Sequence, residues 1–174
     1  VRRMALALAG AGAKVVLIAR RREALEKAAH EIKETNESEA NFVVADLGKV
    51  DDFAKLAATA AKPFGAPDIL INAAGVNMRE PWDAVTRESW DATVHLNLSV
   101  PFFLAQALIP GMREKGQGNI INIGSLQSYR AFPNSMPYGA AKGGVIQLTR
   151  AMAEAWSRYG IVANGIAPGM FPTQ

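Results

Sequence analysis

The sequence contains no cysteine, and this absence excludes three kinds of chemistry together. Without thiols the chain has no disulfides, no thiolate metal ligands and no cysteine nucleophile. Histidine is also scarce. Only His30 and His95 are present, and two isolated histidines do not make a zinc site. The sequence therefore predicts no bound metal.

Long hydrophobic runs and an excess of one charge are missing as well. No apolar run reaches the length of a membrane span and no signal peptide is visible, so we expect a cytoplasmic protein with no membrane partner. The net charge is +3, and basic residues are mostly interleaved with acidic ones apart from Arg20 to Arg22. Basic and aromatic residues do not alternate along the chain, so no nucleic-acid partner is expected.

What remains is an ordinary globular composition. The 174 residues are 49% hydrophobic and 20% charged, which suits one domain with its own core. We therefore predict a single, partial domain over residues 1–174. The chain starts inside a helical pattern and stops in the loop-like "PGMFPTQ", so we expect it to be a fragment of a longer chain.

Apolar runs alternate with amphipathic segments along the whole chain. The runs predict buried strands and the amphipathic segments predict helices. The predicted strands cover 14–19, 41–46, 68–75, 119–125 and 161–169, and the predicted helices cover 2–9, 21–34, 51–62, 87–113 and 136–158. Because the strands are apolar on both faces, we predict an α/β fold with a doubly wound parallel sheet and helices on both faces.

In such a sheet the residues at the carboxyl ends of the strands meet at one edge, where ligands bind. In this sequence they are Arg20, Asp46, Asn72 to Gly75, Ser125, and Pro168 to Gly169.

Tyr138 and Lys142 are four residues apart and lie on one face of a predicted helix, which Asn134 or Ser135 can cap. A free tyrosine has a pKa near 10, and a lysine cation close by favours the phenolate. Ser125 ends the preceding predicted strand and can hydrogen-bond a substrate oxygen. The three residues predict a proton-transfer site for a carbonyl and alcohol pair. A bare Tyr-x-x-x-Lys would equally suit a solvated helix face, and the position of Ser125 favours the site.

Pro101 lies inside a predicted helix, four residues after Asn97. Because proline has no N–H, the carbonyl of Asn97 loses its partner, and we predict a kink there. The freed carbonyl is a ready acceptor for an ordered water. A kink that only shapes packing explains the same residues, and both interpretations stay open.

Two further segments suit a nucleotide. Small residues in "NAAG" (72–75) let a flat ring or a ribose approach the backbone, although a tight connection needs them too. In "ARRR", Ala19 stands where an acid would hold a ribose 2′-hydroxyl, and Arg20 can accommodate a 2′-phosphate instead. This favours NADP, with NAD possible. The alternative is a solvated helix start, which is a poor place for cations.

Five motifs in order resemble the short-chain dehydrogenase/reductase family, and the resemblance covers essentially the whole chain. They are "NAAG" (72–75), Asn97, Ser125, "YGAAK" (138–142) and "APGMFPT" (167–173). The resemblance implies a Rossmann-like fold and a hydride transfer between a nicotinamide and a carbonyl or secondary alcohol. It also implies a homodimer or homotetramer built on the two long helices.

The resemblance assigns a role to each matching residue. Tyr138 is the general acid/base, and Lys142 binds the nicotinamide ribose and favours ionisation of Tyr138. Ser125 orients the substrate, and Asn97 completes a proton relay through water. The implied cofactor-binding residues are Ala19, Arg20, Asp46, Leu47, Asn72, Ala73, Ala74, Gly75, Tyr138, Lys142, Pro168, Gly169 and Thr173.

The chain departs from the family at both ends. The first strand with its glycine-rich phosphate loop and the C-terminal strand are not recognisable, so we expect this chain not to bind cofactor by itself. The segment "SLQSYRAFPNSMPYGAAKGG" is similar to gluconate 5-dehydrogenase-like members, which act on sugar acids and polyols. Alternatives are a 3-oxoacyl-carrier-protein reductase and a non-catalytic cofactor-binding or scaffolding relative.

Overall fold

The computed structural model of the chain describes residues 2–36 and 38–170, and of Asn36 only the backbone. Helices and strands alternate. The helices are α1 (Arg2–Gly10), α2 (Arg22–Asn36), α3 (Phe53–Ala61), α4 (Arg87–Val94), α5 (Val100–Lys115) and α6 (Met136–Trp156). The strands are β1 (Val15–Ala19), β2 (Ala40–Val44), β3 (Ile69–Asn72), β4 (Gly118–Ile123) and β5 (Ile161–Ile166). All strand pairs among these residues are parallel, which confirms the predicted α/β class.

The chain divides into two compact units, Val1–Gly65 and Ala66–Gln174. In the first unit β1 pairs with β2, and in the second β4 lies between β3 and β5. Among the described residues the strands therefore form two parallel sheets, because no hydrogen-bonded ladder joins β1 or β2 to the other three. The single domain over residues 1–174 stays a prediction.

The first unit is held together by small side chains. Ala5 and Ala9 of α1 are buried in one cluster with Ala29 and Ile32 of α2, and small residues let the two helices approach closely. The apolar face of α2 repeats at helical spacing, as predicted. Helix α3 begins after Asp52, whose Oδ1 accepts a hydrogen bond from Lys55 N at 2.8 Å. Asp52 is thus the capping residue, one position after Asp51, where the sequence placed the start of the helix.

The core of the second unit forms around β4, where Ile120 is fully buried. Helix α5 contributes a row of buried side chains at helical spacing, and so does α6. The buried apolar residues of these helices are Val100, Leu104, Ala105, Leu108, Ile109, Met112, Ala141, Val145 and Met152. The strands were predicted to be buried on both faces, but this does not hold for β5, because Val162 and Ile166 are each 50% exposed.

The predicted helix 87–113 is present over Arg87–Lys115, but its hydrogen bonding changes in the middle. Residues His95–Ser99 form a π-helical turn, in which Val100 N donates to His95 O, five residues earlier. The turn directly precedes Pro101, where a kink was predicted from the missing N–H. Both π turns and prolines bend helices.

This composite helix also bears on the question of membranes. By length and composition it can cross a membrane, with a mean hydropathy of 1.4 over an 18-residue window. The sequence had suggested that no segment reaches this length. The core helix of a globular protein can have the same length and composition, and α5 packs its apolar residues against β4 inside the second unit.

Candidate active site

Tyr138 and Lys142 line the same cavity in the second unit, as their spacing on α6 predicts. The cavity has a volume of about 210 Å³. The loop after β3, the end of β4 and one face of α6 form its walls. The lining residues are Ala73, Ala74, Gly75, Val76, Asn77, Ile123, Gly124, Tyr138 and Lys142. Helix α6 begins two residues before Tyr138, and Pro137 suits its first turn because proline lacks the N–H that would be unpaired there.

Lys142 is buried, and its ammonium group contacts a backbone carbonyl and the ring of Tyr138. Its ammonium group donates a hydrogen bond to Ile123 O at 2.6 Å and lies 5.7 Å from the centroid of the Tyr138 ring. The side chain is 5% exposed. Burial penalises the charged form and lowers the pKa of Lys142 from 10.5 to about 8. The site therefore holds a cation that can lose its proton close to physiological pH.

Ser125 follows β4 and begins a short 3₁₀ turn over Leu126–Ser128. Its Oγ accepts a hydrogen bond from Gln127 N at 3.1 Å, and its N–H donates to Ser128 Oγ at 3.1 Å. Ser128 Oγ in turn donates to Lys142 O at 2.7 Å, which fastens this turn to α6. Ser125 does not line the cavity, and its hydroxyl hydrogen is left for another acceptor.

Asn97 lies in the π turn and is fully buried. Its Nδ2 donates to Val76 O and Thr93 O, both at 2.8 Å. Its Oδ1 is buried with no hydrogen-bond partner among the described residues. A Cβ on Gly75 would lie 2.6 Å from this oxygen. The side chain of Asn97 is therefore locked against the loop that forms one wall of the cavity.

Asn72 was expected to flank a cofactor, but its side chain takes part in a buried network instead. Nδ2 of Asn72 donates to Asn122 Oδ1 at 2.9 Å and to Pro101 O at 3.3 Å. Nδ2 of Asn122 donates to Thr149 Oγ1 at 2.9 Å. This network joins β3, β4, α5 and α6. Sequence reasoning missed Asn122, although an asparagine within the apolar run "NIINI" is a usable signal for a buried polar contact.

A second polar pair was also missed. Nδ2 of Asn77 donates to Ser135 Oγ at 3.3 Å, and Oδ1 of Asn77 is buried without a partner among the described residues. Ser135 stands at the N-cap position of α6, as predicted, but its side chain makes no capping hydrogen bond.

The remaining predicted cofactor residues fall in three places. In the first unit, Ala19 ends β1 and Arg20 follows it, and Ala45 N donates to Ala19 O at 3.0 Å. Asp46 and Leu47 follow β2, and Asp46 Oδ1 accepts from Gly48 N at 3.1 Å, which starts a 3₁₀ turn. Arg20 is exposed.

In the second unit, Pro168 O accepts from Leu126 N at 3.1 Å, so the segment after β5 lies beside the turn that Ser125 begins. Gly169 is exposed. Thr173 lies outside the described residues. Within residues 2–36 and 38–170, no three histidine, aspartate or glutamate side chains gather as metal ligands.

Comparison with known proteins agrees with this geometry. The family model described as short chain dehydrogenase matches residues 2–174. The chain is 40% identical over 173 residues to gluconate 5-dehydrogenase of Gluconobacter oxydans (strain 621H), covering 98% of this chain and 66% of that enzyme.

Two solved structures are similar as well. A gluconate 5-dehydrogenase from Burkholderia cenocepacia J2315, in complex with NADP and tartrate, has a TM-score of 0.90 at 39% identity and is matched over 99% of this chain and 68% of its own. An NAD+-bound xylitol dehydrogenase has a TM-score of 0.92 at 30% identity, matched over 99% and 66%. The chain spans about two thirds of the length of each of these relatives. With a family model matched along nearly its entire length, this chain belongs to the short-chain dehydrogenase family.

Proposed function

We propose that this chain carries the catalytic residues of an NAD(P)(H)-dependent oxidoreductase acting on a sugar acid or polyol, as the gluconate 5-dehydrogenases do. The observation that carries the proposal is the shared cavity of Tyr138 and Lys142, with the buried ammonium group 5.7 Å from the phenol ring centroid. On a merely solvated helix face the ammonium group would be exposed, whereas Lys142 is buried where it lines the cavity beside Tyr138.

The cavity suits the nicotinamide and ribose end of a dinucleotide. Its walls include Ala73, Ala74 and Gly75, whose small or absent side chains let a flat ring approach the backbone of this loop. Its volume, about 210 Å³, is below the roughly 300–1,000 Å³ of complete ligand sites and matches part of a dinucleotide. When bound, the nicotinamide supplies or accepts the hydride.

In the proposed mechanism Tyr138 transfers the proton. For carbonyl reduction its hydroxyl donates a proton to the oxygen of the substrate, and for alcohol oxidation its phenolate accepts one. The ammonium group of Lys142 stabilises the phenolate electrostatically and can hydrogen-bond a ribose hydroxyl. Ser125 holds the substrate oxygen through its free hydroxyl hydrogen, and Asn97 contributes its backbone carbonyl to a water-mediated proton relay.

Cofactor preference and assembly extend the proposal. Exposed Arg20 at the end of β1 supports NADP, and the Burkholderia enzyme binds NADP, whereas the xylitol dehydrogenase binds NAD+. We assign Ala19, Arg20, Asp46 and Leu47 to the adenosine end, and Pro168, Gly169 and Thr173 to the nicotinamide end. A cytoplasmic homodimer or homotetramer is proposed on the family resemblance alone.

The test is Tyr138→Phe in the intact protein. Because the substitution removes the hydroxyl group that transfers the proton and keeps the ring, turnover should fall by about 10²–10⁴-fold while the Kd for NADPH stays within about twofold. Tyr159→Phe is the matched control, because Tyr159 does not line the cavity. Its ring centroid lies 4.0 Å from the guanidinium carbon of Arg113. If Tyr138→Phe keeps wild-type turnover, the catalytic assignment is wrong.

Substrate class is tested by a panel. Wild-type protein with NADPH is offered 5-keto-D-gluconate, other keto acids and an acetoacetyl thioester. Preference for the polyhydroxylated keto acid supports the proposal, whereas preference for the thioester supports a 3-oxoacyl-carrier-protein reductase. A wild-type protein that binds NADPH but reduces nothing in the panel would indicate a non-catalytic relative.

A further inference from the structure

The cavity contains a polar group that the roles above leave unused. Asn77 lines the cavity together with Tyr138 and Lys142, two residues after the small-residue loop that suits a ring. Its Oδ1 is buried and has no hydrogen-bond partner among the described residues. An unpaired buried acceptor costs about 1–3 kcal/mol, so a ligand group that donates to it has an affinity advantage.

The hydrogen-bond partner of Asn77 is Ser135, the N-cap residue of α6. A serine at an N-cap normally accepts a hydrogen bond from a backbone N–H of the first helical turn. Ser135, which is 3% exposed, makes no such bond; its Oγ accepts from Asn77 Nδ2 at 3.3 Å. The hydroxyl that could cap α6 therefore orients the amide of Asn77, and it does so three residues before Tyr138.

The orientation decides what the pair can recognise. With Nδ2 engaged by Ser135, the group of the Asn77 amide that still lacks a partner among the described residues is its oxygen, an acceptor. A hydroxyl group is a donor that fits it, and the carboxylate of a sugar acid is not. A substrate whose reacting carbon lies between Tyr138 and the nicotinamide extends beyond the space that the cofactor fills, toward the wall that Asn77 forms. Polyols and sugar acids carry hydroxyl groups on the carbons next to the reacting one.

We propose that Asn77, oriented by Ser135, recognises a hydroxyl group next to the reacting carbon of the substrate. This inference rests on the proposed function and adds a residue that selects polyhydroxylated substrates over plain ketones. Discrimination of this kind is strong, because an analogue without the hydroxyl leaves a buried acceptor unpaired.

The experiment measures gluconate binding to the intact protein saturated with NADPH, a combination that cannot turn over. Asn77→Ala should raise the Kd for gluconate about tenfold and leave the Kd for NADPH within about twofold. Ser135→Ala should give a smaller rise, and the double variant should match Asn77→Ala, because Ser135 acts only through Asn77. Asn164→Ala, at an exposed position on β5, is the matched control.

The readouts separate the alternatives. A purely structural role for Asn77 would weaken NADPH and gluconate together, or lower Tm with both Kd values unchanged, and either result overturns the inference. So does a wild-type protein that binds no gluconate. If wild-type protein reduces no carbonyl with NADPH, the proposed function fails. If it reduces 5-keto-D-gluconate and Asn77→Ala does so with unchanged KM, only the present inference fails.

Discussion

The ammonium group of Lys142 donates a hydrogen bond to the carbonyl oxygen of Ile123 at 2.6 Å, which ties α6 to the last residue of β4. This contact takes the charge out of water, and burial lowers the pKa of Lys142 to about 8. In its charged form Lys142 therefore lowers the free energy of unfolding, although the proposed mechanism requires that charge.

The stability of the intact protein should record this cost as a function of pH. In the unfolded chain Lys142 has a pKa near 10.5, and in the folded protein about 8, so between these values the unfolded state binds more protons. The free energy of unfolding should therefore rise between about pH 8 and pH 10.5, by about 3 kcal/mol in total. Below pH 8 the full penalty is present.

Lys142→Met isolates the effect, because the variant has no proton to lose. Urea unfolding of both proteins across this window should show the rise in wild type only. At neutral pH the variant should be about 1–2 kcal/mol more stable, the lost hydrogen bond to Ile123 offsetting part of the gain, and it should be inactive. Parallel stability curves for the two proteins would contradict the assignment.

Gly75→Ala should damage both stability and ligand binding. The added methyl group would lie 2.6 Å from Asn97 Oδ1, and Asn97 cannot move without breaking its bonds to Val76 O and Thr93 O. We expect a loss of about 1–3 kcal/mol in urea unfolding and a weaker Kd for NADPH.

Gly139→Ala is the control for that substitution, and its stability alone is compared. Gly139 lies in α6, and a Cβ added there would have Gln127 Oε1 as its nearest neighbour among the described residues, at 3.9 Å. Because alanine is the better helix former, the control should be more stable by about 0.5–1 kcal/mol. Equal effects of the two substitutions on stability would show that Gly75 is not held close to Asn97 Oδ1.

Substitutions of Asn72 and Asn122 by alanine should have strongly non-additive effects on the free energy of unfolding. Asn72→Ala leaves Asn122 Oδ1 without the Asn72 Nδ2 donor, and Asn122→Ala leaves Asn72 Nδ2 with Pro101 O as its remaining acceptor, so each should cost about 1–3 kcal/mol. The double variant should cost less than the sum of the two, and thermal or urea unfolding gives the coupling energy. Additive losses would mean that the 2.9 Å contact between the two amides contributes nothing.

Cofactor preference should depend on Arg20. Arg20→Ala should raise KM for NADP about tenfold and leave KM for NAD unchanged, since only NADP carries the 2′-phosphate. Arg22→Ala is the control, because Arg22 already faces Glu26 at 3.5 Å on the exposed side of α2. The measurement is KM for NADP and for NAD with each purified variant. An unchanged ratio of the two KM values in Arg20→Ala would refute the assignment.

Much of this structure follows from patterns that are local in the sequence. The alternation of apolar runs and amphipathic segments predicted the α/β class, and helical spacing placed Tyr138 and Lys142 on one face of α6. The ends of the elements moved by a few residues, as at Asp52 and at the early end of β5, because strand and helix ends depend on hydrogen bonds that the pattern does not contain.

What the sequence could not predict are contacts between distant residues. Asn77 and Ser135 are 58 positions apart, and nothing local links them. The burial of Lys142 is equally non-local, because it requires the end of β4 to approach α6. Pro101 predicted that a hydrogen bond would be lost, but the π-helical turn depends on how Asn97 packs against the loop after β3.

That turn has a consequence for the whole composite helix. An α-helix advances by about 100° per residue, so one additional residue in a turn rotates everything beyond it by about that angle. The helix therefore has two rotational phases. In the turn His95–Ser99 it presents Asn97 toward the loop after β3, and beyond the turn α5 presents its apolar row to the core. The length of this five-residue turn is thus a constraint separate from its composition, because deleting one of its residues would leave the sequence of α5 unchanged and still turn α5 out of register with β4.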